Sequence, residues 1–149
     1  MKKIKLSVAI VGLATGLLLG TSLIARVHAD DQHEKACSNK TLNGPYGIYR
    51  TGSTSVGPLA ALGIVIFDGN GGSGGSQSIS RNGVFTFDIP ISGPYEINAD
   101  CTGKLFLPNG AETGRIVIVD GGKGFYIFSE AAGNAVYGVG RKIGAPDDD

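Results

Sequence analysis

The chain is written in short apolar or alternating runs separated by Gly, Asn, Asp and Pro, and no window shows a convincing helical period. Runs of about four to eight such residues bounded by turn formers predict β-strands. Nine are readable: Tyr46 to Ser53, Leu59 to Phe67, Ser76 to Arg81, Val84 to Ile91, Tyr95 to Ala99, Lys104 to Leu107, Arg115 to Val119, Gly124 to Glu130 and Ala135 to Lys142. Asn82-Gly83 and Asn109-Gly110 sit between runs, and Asn-Gly is the pair that most readily takes positive φ at both central positions of a type I′ hairpin turn. Links this short leave no room for crossover helices, so an antiparallel meander follows. So many strands must hide their edges. The predicted class is therefore all-β, an antiparallel up-and-down β-barrel of about eight or nine strands, with a β-sandwich as the alternative.

The alternation also assigns faces. Val84-Phe85-Thr86-Phe87-Asp88-Ile89 places Phe85, Phe87 and Ile89 on one side, as in a strand that is wet on the other. Three runs are instead apolar on both faces: Ile64-Val65-Ile66-Phe67, Ile116-Val117-Ile118-Val119 and Phe125-Tyr126-Ile127-Phe128. A barrel interior explains only half of each. Their surplus faces call for a cover, and Ile64, Ile66, Ile116, Ile118, Phe125 and Phe128 are the candidates for self-association into a dimer or trimer. A folded-over N-terminal segment and plain tolerance of exposed Val and Ile are the alternatives.

The first 29 residues read differently from the rest. Met1-Lys2-Lys3-Ile4-Lys5 is a basic start, Leu6 to Ala25 is apolar and uncharged, and Val27-His28-Ala29 supplies the small residues of a signal-peptidase site. The expected organisation is a signal peptide over 1–29, a disordered leader over 30–36, a β-barrel domain over 37–143 and an acidic tail over 144–149. No membrane span remains after cleavage, and the expected location is periplasmic or secreted. Removing 29 residues from 149 leaves about 120, enough for one domain with a modest core. Cleavage also removes Lys2, Lys3, Lys5 and Arg26, so nine basic groups face 13 acidic ones. That balance argues against a nucleic-acid partner, which would need clustered basic residues.

Cys37 and Cys101 are the only cysteines. In an exported chain, two cysteines without a CxxC partner and without a histidine in the domain sequence predict a single disulfide.

The ordered set Cys37, Leu42-x-Gly44-x-Tyr46-Gly47, Phe67-Asp68-Gly69-Asn70-Gly71, Gly93-Pro94-Tyr95, Asp100-Cys101-Thr102-Gly103, Val119-Asp120-Gly121-Gly122-Lys123 and Gly138-x-Gly140-Arg141 resembles a family of small exported bacterial β-rich proteins with one cysteine pair. The resemblance covers nearly the whole domain. It implies a Cys-paired, strand-rich exported domain and carries no activity, ligand or catalytic residue. In architecture the chain is also loosely similar to lipocalin-like and allene-oxide-cyclase-like barrels, a likeness of fold only.

Candidate chemistry is sparse. Outside the signal the single histidine is His33, in the leader, so a Ser-His-Asp triad and a His-built zinc site both fall away. The remaining acid–base groups are Asp88, Glu96, Asp100, Glu112, Asp120 and Glu130, with Tyr46, Tyr49, Tyr95, Tyr126 and Tyr137 as possible partners. Most of these acids flank turns, where a solvated carboxylate is the usual reading, and no catalytic residue is assigned. The glycine-rich stretch Asp68 to Gly75 lacks the lysine and helix of a phosphate loop. It offers Asp68 and Asn70, with Ser73 as a third oxygen, as weak calcium ligands, and reads as a flexible hairpin loop. Asn39-Lys40-Thr41 is a formal glycosylation sequon.

No cofactor is implied. The reading that follows is an exported, non-catalytic barrel binding a small apolar or amphipathic ligand. The alternatives are an envelope or extracellular interaction module and a lumen-based isomerase- or cyclase-type enzyme.

Overall fold

The computed structural model describes residues 36–144. The expected signal peptide, almost all of the expected leader and the Asp-rich end of the expected tail lie outside those residues. Eight strands follow one another: β1 (Asn43–Thr54), β2 (Gly57–Asp68), β3 (Gly72–Arg81), β4 (Val84–Ile97), β5 (Thr102–Phe106), β6 (Glu112–Val119), β7 (Gly124–Ser129) and β8 (Ala135–Lys142). Each pairs antiparallel with the next, and β8 pairs back onto β1, giving a closed up-and-down barrel rather than a sandwich.

Eight strands replace nine because the runs from Val84 and from Tyr95 are one strand. The chain stays extended through Pro90 and Pro94, which lie opposite Ser76 and Gly72 of β3. The Tyr95 amide donates towards β3, to Gly71 O at 2.8 Å, so prolines at positions one and five residues earlier direct their missing N–H to the other side. On that side β5 pairs only with Tyr95, Glu96 and Ile97, and no ladder bond is lost.

The same strand overturns the face expected for Phe85 and Phe87. Gln77 pairs with Ile89 but Ile79 pairs with Thr86, so β4 carries one more residue than β3. The extra residue forms a bulge at Asp88, whose φ is +53°. A one-residue insertion exchanges the faces. Phe85 and Phe87 stack on each other outside the barrel, 66% and 70% exposed, while Ile91 packs against the core.

Asn82 (φ +48°) and Gly83 (φ +81°) both adopt the left-handed region, as expected of a type I′ turn. At Asn109-Gly110 the chain also reverses, but only Gly110 is left-handed. Its N–H donates to Leu107 O at 2.9 Å and the Leu107 N–H to Ala111 O at 2.8 Å. Pro108 and Asn109 are then the centre of a type I turn followed by a bulge, a geometry proline's fixed φ favours. The glycine-rich stretch is likewise less of a loop than expected: only residues 69–71 connect, and Gly72 onward belongs to β3.

One end of the barrel is closed by the segment before β1. Cys37 is disulfide-bonded to Cys101 in the β4–β5 turn, and the short 3-10 turn Asn39–Thr41 leads into the fully buried Leu42. Beneath it lie Tyr46, Phe67, Tyr95 and Phe125, with ring centroids 4.9–5.6 Å apart in edge-to-face or tilted contacts. Gly140 makes room for this cluster, since a Cβ there would sit 2.1 Å from Phe125 Cζ. Leu59, Ala61 and Val136 form a smaller apolar group elsewhere in the barrel.

Candidate functional site

Side chains fill the lumen at the closed end and leave a cavity above it. A cavity of about 510 Å³ rests on Phe67 and Phe125 and is walled by Ile48, Val65, Ile91, Leu105 and Ile127. Its rim is formed by Pro90 to Pro94 of β4 and by Phe106 to Pro108 after β5. These segments follow from the strand lengths. β4 runs for 14 residues and β5 for five, so most of β4 has no β5 neighbour to close against.

Arg50 and Gln77 are the two long polar side chains of the lining, beside the hydroxyls of Ser73, Ser92, Thr113 and Ser129. Arg50 follows Tyr46 and Ile48 on the inward face of β1, and Gln77 is the buried polar residue of β3. Arg50 Nη2 donates to Gln77 Oε1 over the intervening strand β2. Arg50 Nε is buried and has no partner among the described residues. Loss of water pulls the guanidinium below its ordinary pKa. No Asp or Glu is among the residues that line the cavity. Neither Arg50 nor Gln77 was singled out from the sequence; the available signal was an arginine two and four places after inward apolar residues in a strand of period two.

Most of the sequence-derived acid–base candidates lie outside this lumen. Asp88 is at the bulge, and Asp100 accepts from the backbone and hydroxyl of Thr102 in the β4–β5 turn, which hold its carboxyl below the usual range. Glu96 is exposed on β4. Lys104, Glu112, Arg115 and Glu130 form an ion-pair chain with contacts of 2.6–2.9 Å, and Asp120 pairs with Arg141 at 2.9 Å. Tyr46 and Tyr95 are buried at the closed end; their hydroxyls donate to Gly122 O, and to Asn39 O and Leu42 O. Burial raises both phenols. Tyr49, Tyr126 and Tyr137 point to solvent. The sequon residue Asn39 uses its side-chain oxygen to accept from the Ile97 amide at 2.8 Å.

The weak calcium candidates are a turn device. Asp68 Oδ1 accepts from the backbone N–H groups of Asn70 at 2.7 Å and Gly72 at 2.9 Å, and the Asn70 amide donates back to Asp68 O. Among the described residues no group of three or more His, Cys, Asp or Glu is arranged to hold a metal ion.

Of the residues expected on an outer contact wall, Ile64, Ile66 and Phe128 do face outward. Ile116, Ile118 and Phe125 do not: they are 1%, 6% and 2% exposed and belong to the core. In a two-sided run both parities are apolar, so composition cannot choose the inward one; closure of the barrel does. The outward positions of β6 and β7 are Val117 and Tyr126. With Val139, Tyr49 and Leu62 they form one cross-strand row, each paired with the next from β6 through β7, β8 and β1 to β2. All five are exposed.

No family model and no curated protein matches the chain. Among solved structures it is similar to a de novo designed fluorescence-activating β-barrel, at 12% identity, over 70% of this chain and 95% of that one, with a TM-score of 0.43.

Proposed function

We propose that this chain is an exported, non-catalytic binding barrel that takes a small amphipathic molecule into its lumen. The observation that carries the reading is the roughly 510 Å³ cavity on an aromatic floor, with apolar walls and two convergent polar side chains. Volume, lining and sparse polarity all match those of ligand sites in general. The disulfide favours an oxidising compartment, hence the periplasm or the medium. An isomerase- or cyclase-type reading needs an acid–base pair at the ligand. The lining offers Arg50, Gln77, Ser73, Ser92, Thr113 and Ser129, with no carboxylate or imidazole, so binding is favoured over catalysis.

The test is titration with N-phenyl-1-naphthylamine, whose fluorescence rises in apolar surroundings. Enhancement is expected for the native protein and its loss for Ile91→Phe combined with Ile127→Phe, which fills the cavity. If the filled variant binds as well as the native one, the dye sits on the outer wall and the lumen reading fails.

A second reading is carried by the outer row Val117, Tyr126, Val139, Tyr49 and Leu62. Flanked by Ile64, Phe128 and Tyr137, it makes an apolar band larger than scattered exposed side chains. No helix among the described residues is long and apolar enough to cross a membrane. Strands β5 and β7, of five and six residues, are shorter than the roughly 9–11 that a membrane-crossing strand needs. A second copy of the barrel is the simplest cover, and its burial would contribute about 25 cal/mol per Å² before the costs of association. Sedimentation should then show a dimer or trimer that Leu62→Lys with Tyr126→Lys converts to monomer. A native monomer at high micromolar concentration would refute self-association.

A further inference from the structure

We infer that the lumen selects an amphipathic anion, a carboxylate or sulfonate with an apolar tail, and that Arg50 binds its head group. This rests on the lumen-binding reading and narrows its ligand class.

Arg50 is a cation placed inside a mostly apolar cavity. A buried guanidinium is costly unless its donors are paired and its charge is countered. Here Gln77, a neutral amide, takes one donor, and Nε is left without a partner among the described residues. No acidic side chain lines the cavity to supply the counter-charge. Structural buried arginines are ordinarily held by a carboxylate of their own chain. This one keeps an unmet donor and an uncountered charge, and a carboxylate or sulfonate supplies both an acceptor oxygen and the opposite charge.

The surroundings fix the rest of the ligand. Gln77 holds the guanidinium from one side and has a side-chain N–H₂ of its own to offer a second oxygen. From Arg50 the cavity extends over Val65 and Phe67 towards Ile91, Leu105 and Ile127, and these offer an aliphatic tail contact but no further hydrogen bonding. A free inorganic anion would leave that apolar surface uncovered. A neutral lipid or alcohol would cover it and leave Arg50 uncountered.

The experiment compares decanoate with decan-1-ol by titration calorimetry on the oxidised protein. Native protein should bind decanoate at least about 10-fold more tightly than the alcohol, the size of effect a hydrogen bond to a charged group gives. Arg50→Met should abolish that preference, weakening decanoate at least about 10-fold more than decan-1-ol. Gln77→Glu supplies an internal carboxylate to Arg50 in the ligand's place. It should also lose decanoate selectively, and because it completes an ion pair it remains informative if Arg50→Met folds poorly. Equal binding of acid and alcohol by the native protein would overturn the anion inference and leave the lumen reading standing. So would equal losses of both in either variant. If neither compound binds, both readings fall together.

Discussion

At the end closed by the first residues of the domain, polar groups that enter the core are matched. Tyr95 Oη donates to Asn39 O and Leu42 O, Tyr46 Oη donates to Gly122 O at 2.6 Å, and the Ile97 amide finds Asn39 Oδ1. At the β4–β5 opening the matching fails: Arg50 meets an amide in place of a carboxylate and one of its donors is unmet. The same barrel therefore contains one end built for stability and one end that carries an uncompensated charge. Unsatisfied buried groups are retained where a ligand can complete them, and they cost stability where it does not. Substitutions should accordingly act with opposite sign at the two ends.

The largest effect is expected from the disulfide. Reduction, or Cys37→Ser with Cys101→Ser, opens a loop spanning 64 residues and should cost about 4 kcal/mol on the chain-entropy account. Denaturant titration with and without reductant measures it. A change below about 1 kcal/mol would mean that the plug holds its place without the covalent tie, and the contrast between the ends would weaken.

Leu42→Ala should follow. The side chain is fully buried beside the aromatic cluster, and truncations of this kind cost about 2–5 kcal/mol. Ligand titration of the same variant should show the open end unchanged.

Tyr95→Phe removes the single hydroxyl proton that Asn39 O and Leu42 O share and should cost about 1–3 kcal/mol at neutral pH. The pH dependence has a definite sign. Burial raises the Tyr95 and Tyr46 phenols above the ordinary value of 10.0. Their contribution is therefore full below about pH 10 and is lost as pH rises through the raised folded values. Stability measured across the alkaline range should fall more steeply for the native protein than for Tyr95→Phe; parallel curves would remove the phenols from the account.

The smallest effect, of opposite sign, is expected at Arg50. Arg50→Met removes an uncountered, half-buried charge and should leave stability unchanged or raise it by up to about 1 kcal/mol. A loss of more than about 1 kcal/mol would show that the Arg50–Gln77 contact is structural, and the two ends would no longer differ in kind.

Strand existence, the disulfide and the closed meander were legible in the linear pattern because each depends on local or compositional chemistry. Ile64 to Phe67 is extended for its own β-branched residues, Asn82-Gly83 reverses the chain for its own φ preferences, and two cysteines admit one pairing. The tertiary structure decided which side of each strand is inside. A single residue inserted at Asp88 turned Phe85 and Phe87 out, and closure turned Ile116, Ile118 and Phe125 in. Period two specifies only that neighbours alternate, so the choice between faces waits on pairing with distant strands. Arg50 and Gln77 show the same limit. They are 27 residues apart, on strands that do not pair with each other, and only the curvature that joins β8 to β1 brings a guanidinium and an amide together over an apolar floor.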